Sequence, residues 1–190
     1  MTTLAIYPDH QPEQINRSED AGWIAEQLKG IGVVFERWDA AFPFDASADQ
    51  DTILKAYEPQ VNQLKNHYGF QSADVINVKA DHPQKTELRA KFLNEHIHSD
   101  FEVRFFVEGR GLFYLHPNDK VYALLCEQGD LISVPAGMKH WFDLGAEPNL
   151  KCIRLFTTPE GWVANFTGDK IAEHYQPLET FAPASATVHA

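Results

Sequence analysis

Three histidines and one glutamate stand at spacings that suit a divalent metal ion. His96 and His98 are two apart, Glu102 lies four further on, and His140 follows a Pro135-Ala136-Gly137 turn. Imidazole suits Zn, Cu, Fe and Ni, and a carboxylate widens the range to harder ions. On an extended segment His96 and His98 share a face, and the even offset returns Glu102 to that face, or near it after a short turn. His140 would arrive from a distant strand. Four protein ligands on a six-coordinate ion leave two positions for water, which a chelating substrate can take. A closed structural site would more usually use cysteines. Cys126 and Cys152 are far from these ligands in sequence and form no C-x-x-C pair, so they read as buried free thiols. His10, His67, His82, His116, His174 and His189 stand alone and read as ordinary satisfied or exposed histidines.

Arg104 lies two residues past Glu102, so a continuing strand puts it on the ligand face. A buried guanidinium cannot shed its proton and needs an anion. That anion is either an internal protein acid or a substrate. Arg154, between Ile153 and Leu155, invites the same argument. Phe106 shares a face with Arg104 and Phe142 with His140, so both are candidates to line a pocket for an apolar substrate tail. Alternation points Glu95 away from the ligands, where a plain solvated acid is one reading.

These residues need elements to hold them. Ser18-Glu-Asp reads as a helix N-cap, with Gly30 as the C-cap. Residues 33–38 read as a strand. Residues 51–68 carry helical spacing up to Gly69, with Pro59 kinking or splitting it. A strand over 74–78 and a short helix over 84–93 follow. From about residue 95, short apolar segments alternate with Gly, Pro, Asn and Asp: 102–108, 111–116, 121–126, 131–134, 140–143 and 151–157. Such spacing predicts an antiparallel sandwich or barrel. A last helix is expected from Gly161-Trp162 to about Tyr175. The fold class is thus mainly β with flanking helices (α+β). Residues 1–180 would form one domain with a mixed α/β N-terminal part, and 181–190 a flexible tail.

The 190 residues carry 44% hydrophobic and 23% charged side chains, a usual balance for a soluble domain. The net charge of −11 disfavours nucleic acid as a partner. No run approaches the roughly 18 apolar residues that span a bilayer, and no membrane partner is expected. The first ten residues lack a basic patch followed by an apolar stretch, so a cytoplasmic location is expected. A monomer is expected.

The segments around the ligands resemble the two cupin motifs. The first is usually Gly-x5-His-x-His-x3,4-Glu-x6-Gly; His96, His98, Glu102 and Gly109 match, with Ala90 at the first Gly. The second is Gly-x5-Pro-x-Gly-x2-His-x3-Asn; Gly129, Pro135, Gly137 and His140 match, with Leu144 at the Asn. The resemblance narrows to the acireductone dioxygenase family of methionine salvage. It rests on Phe92-Leu-Asn-Glu-His-Ile-His, Glu102-Val-Arg-Phe-Phe-Val-Glu-Gly, Asp130-Leu-Ile-Ser-Val-Pro-Ala, His140-Trp-Phe-Asp and Glu160-Gly-Trp-Val-Ala-Asn-Phe-Thr-Gly-Asp. It also runs through Phe35-Glu-Arg-Trp and Tyr68-Gly-Phe-Gln-Ser-Ala-Asp-Val, and so covers all but the last dozen residues. Phe101 departs from it, since bacterial members often carry an acid there.

The resemblance implies a cupin-type antiparallel jelly-roll barrel and a C–C cleaving dioxygenase. One Fe(II) or Ni(II) per chain would be held by His96, His98, Glu102 and His140. The substrates would be dioxygen and the small-molecule acireductone 1,2-dihydroxy-3-keto-5-methylthiopentene. The Fe form would yield 4-methylthio-2-oxobutanoate and formate. The Ni form would yield 3-methylthiopropanoate, formate and carbon monoxide. Arg104 would stabilise the enediol dianion, and Glu95 could serve metal loading. A non-catalytic metal-binding cupin and a cupin sugar-phosphate isomerase are the alternatives; the second would need several basic residues around its pocket.

Overall fold

The computed structural model describes residues 1–42, 44–45, 47–158 and 163–183. Its strands are β1 (Thr3–Pro8), β2 (Asn16–Ser18), β3 (Val34–Arg37), β4 (Ser72–Lys79), β5 (His96–Ile97), β6 (Glu102–Leu115), β7 (Lys120–Glu127), β8 (Asp130–Val134), β9 (His140–Asp143), β10 (Asn149–Phe156) and β11 (Asn165–Phe166). The helices are α1 (Ala21–Lys29), α2 (Gln50–Ala56), α3 (Glu58–Tyr68), α4 (Lys85–Phe92) and α5 (Leu178–Phe181). Every strand pairing among the described residues is antiparallel. The cupin-type barrel expected from the motifs is therefore the observed architecture.

Strand β6 is the spine. Its first half pairs with β8 and β10, its second half with β7 and β9. The 102–108 and 111–116 segments, read as two strands, are one 14-residue strand with a bend at Gly109. Gly109 has φ +76°, and a Cβ there would meet Asn149 O at 1.7 Å, so only glycine fits. Just before it, Lys151 pairs with Glu108 but Cys152 with Phe106, which leaves Val107 as the extra residue of a β-bulge. The bulge reverses parity. Phe106 belongs to the interior cluster before it, and Phe113 and Leu115 belong to that cluster after it.

Both faces of this strand are covered. Outside its first half, α2 and α3 bring Ile53, Tyr57, Val61 and Leu64 against Val103, Phe105 and Val107. Outside its second half, Tyr175, Leu178 and Phe181 cover Leu112, Tyr114 and Trp141. Strands buried on two faces read as apolar runs rather than alternation. That is why Thr3–Pro8, buried or nearly so throughout, was not expected as a strand.

Pro59 splits the predicted 51–68 helix into α2 and α3, and Gly69 ends it at φ +74°. The N-cap of α1 is Asp20, which accepts from Trp23 N, rather than Ser18. The helix expected over 161–175 does not form in the described part. Asn165–Phe166 is a strand paired with β5, and only a 3-10 turn follows at Ile171–His174. Residues 159–162, with Trp162, lie outside the described residues. Phe181, placed in the expected tail, is 2% exposed and packed in α5; residues 184–190 lie outside the described set. No described helix is long and apolar enough to cross a membrane. Cys126 and Cys152 are buried free thiols.

Candidate metal centre and its cavity

His96 pairs across β5 and β9 with His140, and the turn that ends at His140 is tied to the first motif by Gly137 N donating to His98 O at 2.9 Å. These links bring the three imidazoles together, with ring centroids 4.4–5.3 Å apart. One ligand atom from each lies within 4.8 Å of the others.

The tautomers follow from the partners. His96 Nδ1 lies 2.7 Å from Asn94 O, His98 Nδ1 3.0 Å from Val163 O, and His140 Nδ1 2.8 Å from Met138 O. A carbonyl only accepts, so each Nδ1 must carry a proton. With Nδ1 donating, it is Nε2 of each ring that can offer a lone pair to an ion. Burial pushes the His96 pKa down to about 3, with the His140 imidazole adding to the effect, so this ring is neutral and ready to ligate.

Glu102 opens β6 beyond the Ser99–Phe101 turn. Its Oε2 lies 3.2 Å from His98 Nε2 and 3.4 Å from His140 Nε2. Burial works to raise its pKa, but Arg104, His140 and His98 outweigh that and hold it well below the carboxylate range. Glu102 Oε2 and His140 Nε2 are buried with no hydrogen-bond partner among the described residues. Buried polar atoms without partners are costly, and a cation between them would satisfy both. The donor set of three imidazoles and one carboxylate fits a first-row divalent ion.

Arg104 is 2% exposed. Its Nε donates to Glu102 Oε1, and its guanidinium packs against the neighbouring rings of Phe142 and Phe113, 4.7 and 4.9 Å from their centroids. The structure shows the internal ion pair at Nε and leaves NH1, which is buried, without a partner among the described residues.

A cavity of about 480 Å³ opens beside His96, His98 and Arg104. Its wall is mostly apolar, from Ile76, Val78, Leu88, Phe92, Val163 and Phe166. Arg154 also lines it, committed to Asp74 through Nε–Oδ1 at 2.9 Å and NH2–Oδ2 at 2.6 Å. Phe106 and Phe142 are not in the wall. Both are 0% exposed in the barrel interior, beneath Arg104 in the case of Phe142. Both side chains belong to the interior cluster, too deep to reach the cavity. Sequence reasoning passed over Leu88, Phe92 and Ile76, whose places depend on α4 and β4 packing over the barrel mouth.

Glu95 is not solvated. It is 1% exposed, with Oε2 2.6 Å from His116 Nδ1 and Oε1 2.7 Å from Thr167 Oγ1. His116, read as an ordinary lone histidine, is 6% exposed.

The ARD/ARD' family model matches residues 3–164. The acireductone dioxygenase of Methylococcus capsulatus is 62% identical over 183 residues, covering 95% of this chain and 97% of its own. That of Aquifex aeolicus is 57% identical over 179 residues, covering 94% and 97%. Among solved structures, acireductone dioxygenase from Bacillus anthracis, with a cadmium ion in its active centre, matches at TM-score 0.79 and 31% identity, over 87% of this chain and 98% of its own. The chain belongs to the acireductone dioxygenase family of metal-dependent dioxygenases.

Proposed function

We propose that this chain cleaves 1,2-dihydroxy-3-keto-5-methylthiopentene with dioxygen in methionine salvage. In this reading His96, His98, Glu102 and His140 hold one Fe(II) or Ni(II). The Fe form releases 4-methylthio-2-oxobutanoate and formate, and the Ni form 3-methylthiopropanoate, formate and carbon monoxide. When bound, the ion supplies Lewis acidity and a template for a chelating substrate.

The observation that carries the reading is Arg104 NH1, a buried donor with no partner among the described residues, on a side chain that lines the cavity with His96 and His98. A cation fixed there favours the deprotonated enediolate, and the surrounding Phe rings keep water from screening it. The apolar wall of Ile76, Val78, Leu88 and Phe92 suits a methylthio tail, and the cavity volume is in the range for a small ligand. Arg154, satisfied by Asp74, supports the site by flanking the cavity rather than by offering a free charge.

The test is an anaerobic ultraviolet titration of the enediolate with Fe- and Ni-loaded protein, followed by dioxygen and product analysis. Consumption of substrate with metal-dependent products is expected. A spectral shift without consumption would identify a binding module instead. His96→Ala and His140→Ala should lose metal and turnover together; full turnover by either metal-free variant would sink the site assignment.

A further inference from the structure

His116 touches the backbone of one ligand strand and the side chain beside another ligand. Its amide donates to Lys139 O at 2.8 Å, next to His140, where Leu115 pairs with His140 across β6 and β9. Its ring Nδ1 donates to Glu95 Oε2 at 2.6 Å, next to His96. One residue outside the ligand set therefore joins the supports of two ligands that lie 44 positions apart in sequence.

The link to His96 is mechanical. His96 Nδ1 donates to Asn94 O, and that carbonyl belongs to the peptide that continues into Glu95 N. The rotation of this peptide sets the direction of the carbonyl, and so the direction of the His96 ring. The Glu95 side of the peptide is pinned three times. Its carboxylate accepts from His116 Nδ1 and Thr167 Oγ1, and its carbonyl accepts from Thr167 N at 3.0 Å. A carboxylate whose side chain is 0% exposed is costly to bury without such partners. Resting on the metal-centre reading above, we propose that His116, acting through Glu95 with Thr167, is a positioning residue that sets the orientation of His96 for the ion. It touches neither the ion nor the cavity wall. Its ring Nε2 faces Asp9 Oδ2 at 3.7 Å, outside hydrogen-bond distance.

The test uses metal-free full-length wild type, His116→Ala, His116→Asn and Thr167→Val. Each is titrated with Co(II) against a competing chelator and read by the visible absorption of the bound ion. Melting of the metal-free proteins is followed in parallel. His116→Ala should weaken Co(II) binding by about 10- to 100-fold, the usual range for loss of a group that supports a ligand, and should change the band pattern. His116→Asn should recover most of the affinity, because its amide N–H can take the place of Nδ1–H. Thr167→Val should weaken binding by a smaller factor. Unchanged affinity and bands in His116→Ala would overturn the proposal, as would an Asn variant as weak as the Ala variant. If His116→Ala does not fold, Thr167→Val decides, and wild-type affinity in it overturns the proposal. A wild type that fails to bind Co(II) overturns the metal-centre reading, and this inference with it.

Discussion

Arg104 and Arg154 sit directly opposite one another on β6 and β10, and each is held by a different carboxylate. Like charges in a cross-strand pair repel. Glu102 takes Arg104 Nε, and Asp74 takes Arg154 through two nitrogens. The two guanidiniums differ in what remains. Arg154 has its fork filled by Asp74, whereas Arg104 NH1 has no partner among the described residues. Glu102 is likewise divided, with Oε1 on Arg104 and Oε2 toward the imidazoles.

This division predicts the outcome of Arg104→Lys. A lysine carries the charge but not the fixed fork, so it cannot hold Glu102 and present a second rigid donor at once. Bound metal should be retained, because the four ligands are unchanged, while kcat falls by about 10²- to 10³-fold, as for loss of one positioned charge-stabilising donor. Metal content and steady-state rates on the same preparation check this. Unchanged kcat at full metal occupancy would remove Arg104 from the chemistry.

Gly111 has a different role from the bend at Gly109. A Cβ there would lie 2.1 Å from Phe142 Cζ, and Phe142 is one of the rings that pack against Arg104. Gly111→Ala must push that ring inward against Phe113, 4.8 Å away between centroids, or toward Arg104. Such overpacking costs about 1–3 kcal/mol, and turnover should fall with stability because the guanidinium moves. Urea midpoints and kcat measured together test it, and a variant with wild-type values of both would show that the ring has room.

The convergence of His96, His98 and His140 was legible because strand parity and turn punctuation are local properties. His96 and His98 share a face by the two-residue repeat, and Pro135 and Gly137 mark the turn before His140. The merging of two segments into β6 was hidden, because Gly109-Arg110-Gly111 has the composition of a turn while the backbone there is a bend within one strand. The partners of Glu95 and His116 were hidden for another reason. They are 21 residues apart, and their contact exists only once β5, β6 and β9 are adjacent. The cavity wall depends likewise on α4 packing over the barrel mouth, which no local pattern records.

The docking of α4 has an identifiable strut. Arg89 from α4 binds Asp143 at the end of β9 through Nε–Oδ1 at 2.7 Å and NH2–Oδ2 at 2.9 Å. The Asp143 carboxylate, 0% exposed, also accepts from Gly145 N and Leu178 N, and so ties α5 to the same point. Asp143→Ala leaves two amides without their acceptor and Arg89 with Glu179 as its remaining carboxylate partner, and should cost about 2–4 kcal/mol. The urea midpoint should drop, and KM should rise, because α4 supplies Leu88 and Phe92 to the cavity. Arg89→Met should show a smaller loss of stability with a similar rise in KM; wild-type KM in both variants would separate the strut from the cavity.

The metal-free protein should lose stability as pH falls from about 6.5 toward 3. The unfolded chain protonates His96 near its ordinary value of 6.5, whereas burial beside two other imidazoles holds the folded value at about 3. Across that window the unfolded state binds the extra proton. Stability therefore falls with acid, by up to about 1.4 kcal/mol per pH unit for this one group. Glu102 works in the same direction but lower. Its folded pKa lies well below the ordinary carboxylate value of 4.5, so the stability it contributes is present above that value and is lost as pH falls through the folded pKa. Of these two groups, His96 therefore sets the slope between about pH 4.5 and 6.5. Urea midpoints of metal-free wild type and His96→Gln over this range separate the two groups. The variant should show a shallower slope; parallel slopes would mean that another group takes up the proton.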